Sequence, residues 1–409
     1  MGSRMVEILA ERGGYFIIGT DLFQREEGRW NIFLTADLTD KESAKRMMAL
    51  VVGMYGPIDV VFHIAGLFDY NAPPSALLDV NVNGTHYLFE AISSQNMKPR
   101  VILWGAAGTY RFPTTPDEPR TETSPFGING SYLKSKLQQE FTARDRAQGY
   151  DIPLTIIRPS GVYGPGAKYG LGHTIMMAGL GMMGPIAPNT GKRRGSTVHV
   201  DDVCGAALFL SEQPEKNVAG KAFNVCDDAV YTLDEVTRFI AREVGFRFMR
   251  WLEAPLWLVE HANRGLVKKA KKLDRVSLVH PDMSRLLAYD TLMSNAALRA
   301  LGWEPKYPDP KVGLKKTIEW YKQEGLMGDK NFHELKFDLW RSAFVWTILL
   351  PLFLPILVGM ATRRFGTPIH AVLSVLTLVT CLVGPWLAYR LWFVRRGFKN
   401  LDNWTRPKR

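Results

Sequence analysis

The 409-residue sequence has only three cysteines, Cys204, Cys226 and Cys381, and they lie far apart. That scarcity excludes a disulfide framework and fits a reducing compartment. No run of His, Cys, Asp and Glu has metal-ligand spacing, so no metal site is expected. No nucleic-acid-binding module and no stripe of interleaved basic and aromatic residues occurs, which argues against a nucleic-acid partner despite a net charge of +11. No secretory leader pattern is expected at the start. The composition is not that of a disordered chain either, since 46% of residues are hydrophobic. The length suits one large α/β domain with a second element attached.

What is present is an uneven charge. Residues 332–409 hold 11 Lys or Arg against 3 Asp or Glu, a local +8 out of +11. These charges flank two apolar segments, residues 343–361 and 369–389. Each is close to the roughly 20 residues that a membrane span needs. Pro351, Pro355 and Pro385 are tolerated in such helices, and Trp340, Trp386, Tyr389 and Trp392 stand at the edges, where interfacial aromatics belong. The expectation is a membrane helical hairpin followed by a basic tail that meets anionic lipid. A soluble helical hairpin is the bland alternative. Arg390, Arg395, Arg396 and Lys399 follow the second segment, so the tail and the main domain are expected on the cytoplasmic face. That face is the endoplasmic reticulum membrane in a eukaryote and the inner membrane in a bacterium.

The first 170 residues alternate between strand and helix patterns. Strands are predicted over 15–21, 31–35, 59–64, 100–104 and 153–157, and helices over 5–12, 41–52, 80–93 and 131–148. This rhythm implies βαβ units and an α/β fold with a doubly wound parallel sheet, whose ligands lie beyond the carboxyl ends of the strands. The rhythm loosens from 171 to 330. That stretch is expected to form a smaller substrate portion, with apolar lid candidates at 171–187 and 251–259. Residues 331–409 then complete a three-part organisation.

Tyr132 and Lys136 lie four residues apart in a predicted helix and so share one face. A phenol has a reference pKa of about 10, and a nearby ammonium favours its ionised form. Such a pair can move a proton to or from a substrate hydroxyl. Tyr and Lys at this spacing also occur on ordinary helix surfaces. Asp21 ends an apolar strand, where a dinucleotide-binding fold puts an acid for the adenosine ribose. Taken singly, Asp21 also suits a helix cap, Gly66 a turn, and Asn81 a cap for the helix that follows.

Together these residues join His63-Ile-Ala-Gly66, Asn81-Val-Asn-Gly-Thr85, Arg158-Pro159, Tyr163-Gly-Pro-Gly166 and His199-Val-Asp-Asp202. In this order they resemble the extended short-chain dehydrogenase/reductase family, over about residues 1–325. The late segment 290–303 resembles its 3β-hydroxysteroid and sterol-4-carboxylate 3-dehydrogenase branch.

The resemblance implies a Rossmann-like domain binding NAD, with NADP less favoured. It implies that Tyr132 transfers the proton and that Lys136 supports it and holds the nicotinamide ribose. Asp21 would accept the adenosine ribose hydroxyls, Asp37 and Leu38 would border the adenine, and Ala65 and Gly66 would line the cofactor. Asn81 would support the strand beside the nicotinamide and Pro159 would face its ring. Gly2 matches the third glycine of the family's opening glycine-rich turn, whose first strand has no counterpart here. Ala106, four residues before Tyr110, stands where the family carries a Ser or Thr that orients the substrate oxygen.

The expected activity is oxidation of a 3β-hydroxyl on a sterol-like lipid, with or without loss of a 4-carboxyl group. The partners would be that apolar small molecule, membrane lipid at the hairpin, and a second copy in a homodimer. Two alternatives stay open: a nucleotide-sugar epimerase or dehydratase, and a non-catalytic membrane-bound family member.

Overall fold

A computed structural model describes residues 1–326, apart from 71, 113–117, 128–129, 168–169, 180–191 and most of 246–288. The expected hairpin segments 343–361 and 369–389 and the basic tail lie outside the described residues, as do 180–187 of the first lid candidate and most of the second. Among the described residues, no helix is long and apolar enough to cross a membrane.

The chain forms two compact units. The first comprises Met1–His173, Pro185–Phe239 and Arg250–Thr317. The second comprises Thr174–Gly184, Ile240–Met249 and Ile318–Arg409. In the second unit, described residues Ile175, Met176, Ile240, Ala241, Ile318 and Tyr321 are buried, and the Lys322 amine donates to the Glu243 carbonyl at 3.0 Å.

The first unit opens with α1 (Gly2–Arg12), β1 (Ile18–Asp21), β2 (Ile32–Thr35), α2 (Lys41–Tyr55) and β3 (Val60–His63). Next come α3 (Pro74–Leu78), a π-helical turn (Asp79–Asn83), α4 (Gly84–Ser94), β4 (Arg100–Trp104), α5 (Ser131–Tyr150) and β5 (Leu154–Pro159). Each strand and helix predicted in this part is present, with bounds shifted by a few residues. The predicted helix over 80–93 is the exception in kind, because its start is the π-turn. Downstream lie β6 (Gly161–Tyr163), α6 (Leu171–Gly179), β7 (Arg194–Gly195), β8 (Thr197–His199), α7 (Val200–Glu212), α8 (Glu215–Val218), β9 (Ala222–Val225), β10 (Tyr231–Thr232) and α9 (Leu233–Val244).

Besides a short parallel pair β6-β8 and a short antiparallel pair β7-β10, the strands pair in parallel as the βαβ rhythm requires, but in two pieces. One is a four-stranded parallel sheet ordered β3-β4-β5-β9, and the other is the parallel pair β1-β2. In the doubly wound order the first strand sits between the second and the fourth. That place falls here between β1 and β3, and no ladder joins those two among the described residues.

Packing joins the pieces instead. On one face, Ala44, Met47, Met48 and Val51 of α2 pack with Leu88, Phe89 and Ile92 of α4, Val101 and Leu103 of β4 and Ala143 of α5. On the other face, Met5 and Leu9 of α1 join Ile102, Trp104, Ile157 and the Val203–Leu210 stripe of α7. Apolar positions alternate along β4 toward these two layers, as a sheet covered on both faces demands. Local devices shape the ends. The Asp40 carboxylate accepts from the Glu42 N–H at 3.0 Å and caps α2. The Asn31 side chain accepts from the Ile17 N–H at 2.7 Å and closes the connection between β1 and β2.

Candidate active site

The expected site residues gather at the carboxyl ends of the strands. Asp21 ends β1, Asp37 and Leu38 follow β2, Ala65 and Gly66 follow β3, and Pro159 ends β5. Tyr132 and Lys136 lie in the first turns of α5, which starts after Gly130 with its φ of 98°. Gly2 is the first residue of α1 and is exposed.

Around α5 the side chains form one hydrogen-bonded network. Asn81 sits in the π-turn with no solvent exposure. Its side-chain oxygen accepts from the Leu67 N–H at 2.7 Å, and its amide donates to the Leu67 carbonyl at 3.2 Å and to the Ser135 hydroxyl at 2.9 Å. Ser135 in turn donates to the Tyr132 carbonyl at 2.7 Å. Asn81 thus pins the loop after β3 to α5, rather than capping a helix. Single π-turns inside helices recur at functional sites, because one extra residue re-aims a side chain. Gly66 belongs to the same knot. A Cβ there would stand 3.1 Å from the Asn81 Oδ1 and 3.8 Å from the Lys136 Nζ, so the close approach favours glycine.

Lys136 is buried, and its amine donates to the Trp104 carbonyl at 2.7 Å and to the Gln139 side-chain oxygen. Burial lowers its pKa to about 8, partly offset by the Glu140 charge. Tyr132 packs edge-on against Phe68 and Tyr70, with ring centroids 4.8 and 5.3 Å away. Its hydroxyl makes no hydrogen bond among the described residues. Burial, reinforced by Tyr70, pushes its pKa up. Among the described residues no hydrogen bond joins the amine to the phenol it is expected to acidify. In this state the amine is bound to Trp104 and Gln139, and desolvation decides the phenol's ionisation.

Ala106 carries no hydroxyl at its place in the loop after β4. Thr109 does not replace it, because its hydroxyl donates back to the Ala106 carbonyl at 2.7 Å. Tyr110 is a buried structural residue. It donates to Asn224 at 2.8 Å and accepts from Arg158 at 2.7 Å. Arg158 is locked to Glu140 in an ion pair that is almost fully buried on both sides.

The surroundings of Asp21 and Asp37 are built differently. The Asp21 carboxylate accepts from the Leu22 N–H at 2.7 Å and pairs with Arg25 at 2.9 Å, with both side chains well exposed. Asp37 accepts from the backbone N–H and the hydroxyl of Thr39 at 2.8 and 2.7 Å. Leu38 lies over α4, where a Cβ on Gly84 would come within 3.3 Å of the Leu38 Cβ.

The sequence pattern described as the NAD dependent epimerase/dehydratase family matches residues 1–226, more than half of the chain. The protein belongs to this family. Among curated relatives, dihydroflavonol 4-reductase of Arabidopsis thaliana is 27% identical over 265 residues, covering 59% of this chain and 66% of that protein. The dTDP-D-glucose 4,6-dehydratase of Bos taurus is 22% identical over 311 residues, covering 74% and 76%. Among solved structures, the UDP-glucose 4-epimerase of Thermus thermophilus, in complex with NAD, superposes with a TM-score of 0.61 at 21% identity over 78% of this chain and 95% of that one. The likeness at that identity establishes the extended short-chain dehydrogenase fold.

The cofactor of the NAD-dependent epimerase/dehydratase family is NAD. Four observations fit it to this chain. An exposed carboxylate, Asp21, ends β1. Ala65 and Gly66 present open backbone at the end of β3. The Lys136 amine lies just beneath that backbone. Pro159 is buried at the end of β5. No group of His, Cys, Asp or Glu able to hold a metal ion occurs among the described residues.

Sequence reasoning assigned no role to Ser135, Gln139, Thr85 or His63, although these residues complete the network. The spacing of Lys136 and Gln139 by three, and of Asn81 and Thr85 by four, was a usable signal.

Proposed function

We propose that this protein oxidises a secondary hydroxyl of a nucleotide-linked sugar with NAD, as one step of an epimerisation or dehydration. The observation that carries the reading is the α5 network, which sets Tyr132 and Lys136 beside the carboxyl end of the parallel sheet. The names of the dehydratase and epimerase relatives point to the same substrate class.

NAD, when bound, supplies the hydride acceptor. Asp21 would hold the adenosine ribose, Asp37 and Leu38 would flank the adenine, and Ala65, Gly66, Asn81 and Pro159 would line the rest, with Gly2 at the start of α1. Tyr132 handles the hydroxyl proton and Lys136 holds the nearby ribose. In the oxidation the carbinol hydrogen would leave as hydride and the hydroxyl proton would pass to Tyr132 acting as phenolate; in the return reduction the phenol would give that proton back to the forming alkoxide. In this state burial favours the neutral phenol and the Lys136 amine is bonded to Trp104 and Gln139, so acting as a base requires a cation brought to the phenol oxygen. Ala106 gives the substrate oxygen no side-chain donor, so Tyr132 carries that task alone.

The test is turnover of a panel of UDP- and dTDP-hexoses by the full chain with NAD. Product should form, and Tyr132→Phe should reduce the rate at least about a hundredfold. Equal rates in the variant would reject the assignment of Tyr132.

The second reading is oxidation of a sterol-like 3β-hydroxyl. Phe68 and Tyr70, which pack on Tyr132, favour an apolar ring. The apolar segments 343–361 and 369–389 favour a membrane-dissolved substrate and a cytoplasmic-face location. The same panel decides between them when it includes 3β-hydroxysterols in vesicles. Membrane fractionation of the full chain against a chain ending at residue 330 tests the anchor separately.

A further inference from the structure

A chain of buried hydrogen bonds runs behind Lys136, and its directions can be worked out. The Thr85 hydroxyl lies 2.7 Å from the Asn81 carbonyl, to which it donates its one proton. Its oxygen is therefore an acceptor for its other two neighbours. Those are the Gln139 Nε2 at 2.9 Å and the His63 Nε2 at 2.7 Å. Two assignments follow. Gln139 turns its NH2 to Thr85 and its oxygen to Lys136, and His63 carries its proton on Nε2. His63, Thr85 and Gln139 are each no more than 3% exposed, so water does not compete for these bonds. His63 stays neutral, with its pKa lowered to about 3 by burial and by the Lys136 charge.

Among the described residues, the amine at the end of this chain has no carboxylate bound to it. Glu140, the nearest acid on its own helix, is taken by Arg158 of β5 and Arg144. The groups that act on the amine's charge are thus His63 of β3, Glu140 of α5, the Trp104 carbonyl of β4 and the Gln139 oxygen. Of these, the Gln139 oxygen is the one side-chain acceptor bound to the amine.

We propose that Gln139 is a positioning residue that keeps Lys136 protonated, its amide locked in the useful orientation by Thr85 and His63. This deepens the proposed function, because it rests on Lys136 being the partner of the proton-transferring phenol. A buried ammonium loses its hydration and is worth keeping charged only if fixed acceptors replace the water. Removing the Gln139 oxygen leaves the Trp104 carbonyl as the one remaining acceptor among the described residues. Replacing Gln139 with an acid puts a charge beside the amine.

The test reads the titration of Lys136 directly, by NMR of 13C-labelled lysine side chains in the full chain without substrate. The resonance is assigned by its loss in Lys136→Met. In Gln139→Leu the proton affinity of the amine should fall at least about tenfold, which is one pKa unit. In Gln139→Glu it should rise above that of the unaltered chain. Thr85→Val, which frees the amide to turn over, should lower it by less than Gln139→Leu. A folded Gln139→Leu chain with an unchanged Lys136 titration overturns the proposal. Should that variant fail to fold, unchanged titration in both Gln139→Glu and Thr85→Val overturns it equally. The titration needs no turnover, so a shift without any activity on the sugar panel would retire the function and leave the role of Gln139 standing.

Discussion

The two pieces of the sheet hold the two ends of the candidate site in contrasting ways. In the four-stranded piece, β4 is buried beyond its first residue and β5 throughout. Its side chains at the site are tied across five separate elements. In the β1-β2 piece every residue is half-buried or exposed. Among the described residues the Asp21 and Asp37 carboxylates are tied only to neighbours within four residues. The Tyr132–Lys136 end is thus prebuilt by long-range packing, while the carboxylates of the Asp21–Asp37 end are held by local contacts. Local opening should follow the same line, since buried, cross-linked segments exchange amide protons last.

Several substitutions should break or sharpen this contrast. The largest effect is expected at Glu140. Glu140→Ala leaves the Arg158 charge buried and alone, which should cost about 3–5 kcal/mol in chemical denaturation. A loss below about 1 kcal/mol would show that the prebuilt end is not held this way. Asn81→Ala comes next. It strands buried partners at Leu67 and Ser135, so a loss of about 2–3 kcal/mol is expected together with slower turnover.

The third effect is a pH dependence. Burial lowers Lys136 from 10.5 to about 8 in the folded chain. The folded state therefore binds this proton more weakly than the unfolded state does. The cost is about 3 kcal/mol below pH 8 and fades as pH rises from about 8 to 10.5. Across that window the unaltered chain should gain stability relative to Lys136→Met. Parallel curves for the two would place the amine in solvent. The smallest effect belongs to the other piece. Arg25→Ala removes an exposed pair and should change stability by less than about 1 kcal/mol, while weakening or strengthening NAD binding only through Asp21.

Much of this was legible in the residues. The apolar runs ending at Asp21, His63 and Trp104 mark strands, and the four-residue spacing marks Tyr132 and Lys136 as helix neighbours. The positions of Asp21, Gly66 and Pro159 at strand ends follow from the same alternation. What the pattern could not carry was direction. Whether the Lys136 amine turns to Tyr132 or to Gln139 depends on Thr85 and His63, residues distant in sequence. The upward push on the phenol comes from Phe68 and Tyr70 closing over it, and burial of that kind leaves no local signature. The gap between β1 and β3 likewise appears only once pairing is known. The sterol reading leaned on segments 343–361 and 369–389, which lie outside the described residues, and the relatives point instead to nucleotide sugars and flavonols.

The central claim is that Tyr132, set by the buried network around α5, moves the proton while a hydride leaves the neighbouring carbon. The most direct measurement uses UDP- and dTDP-hexoses deuterated at the reacting carbinol carbon, with NAD and the full chain. A slowed rate with deuterium in the unaltered chain, and turnover reduced at least about a hundredfold in Tyr132→Phe, are predicted. Undiminished turnover in that variant would contradict the claim.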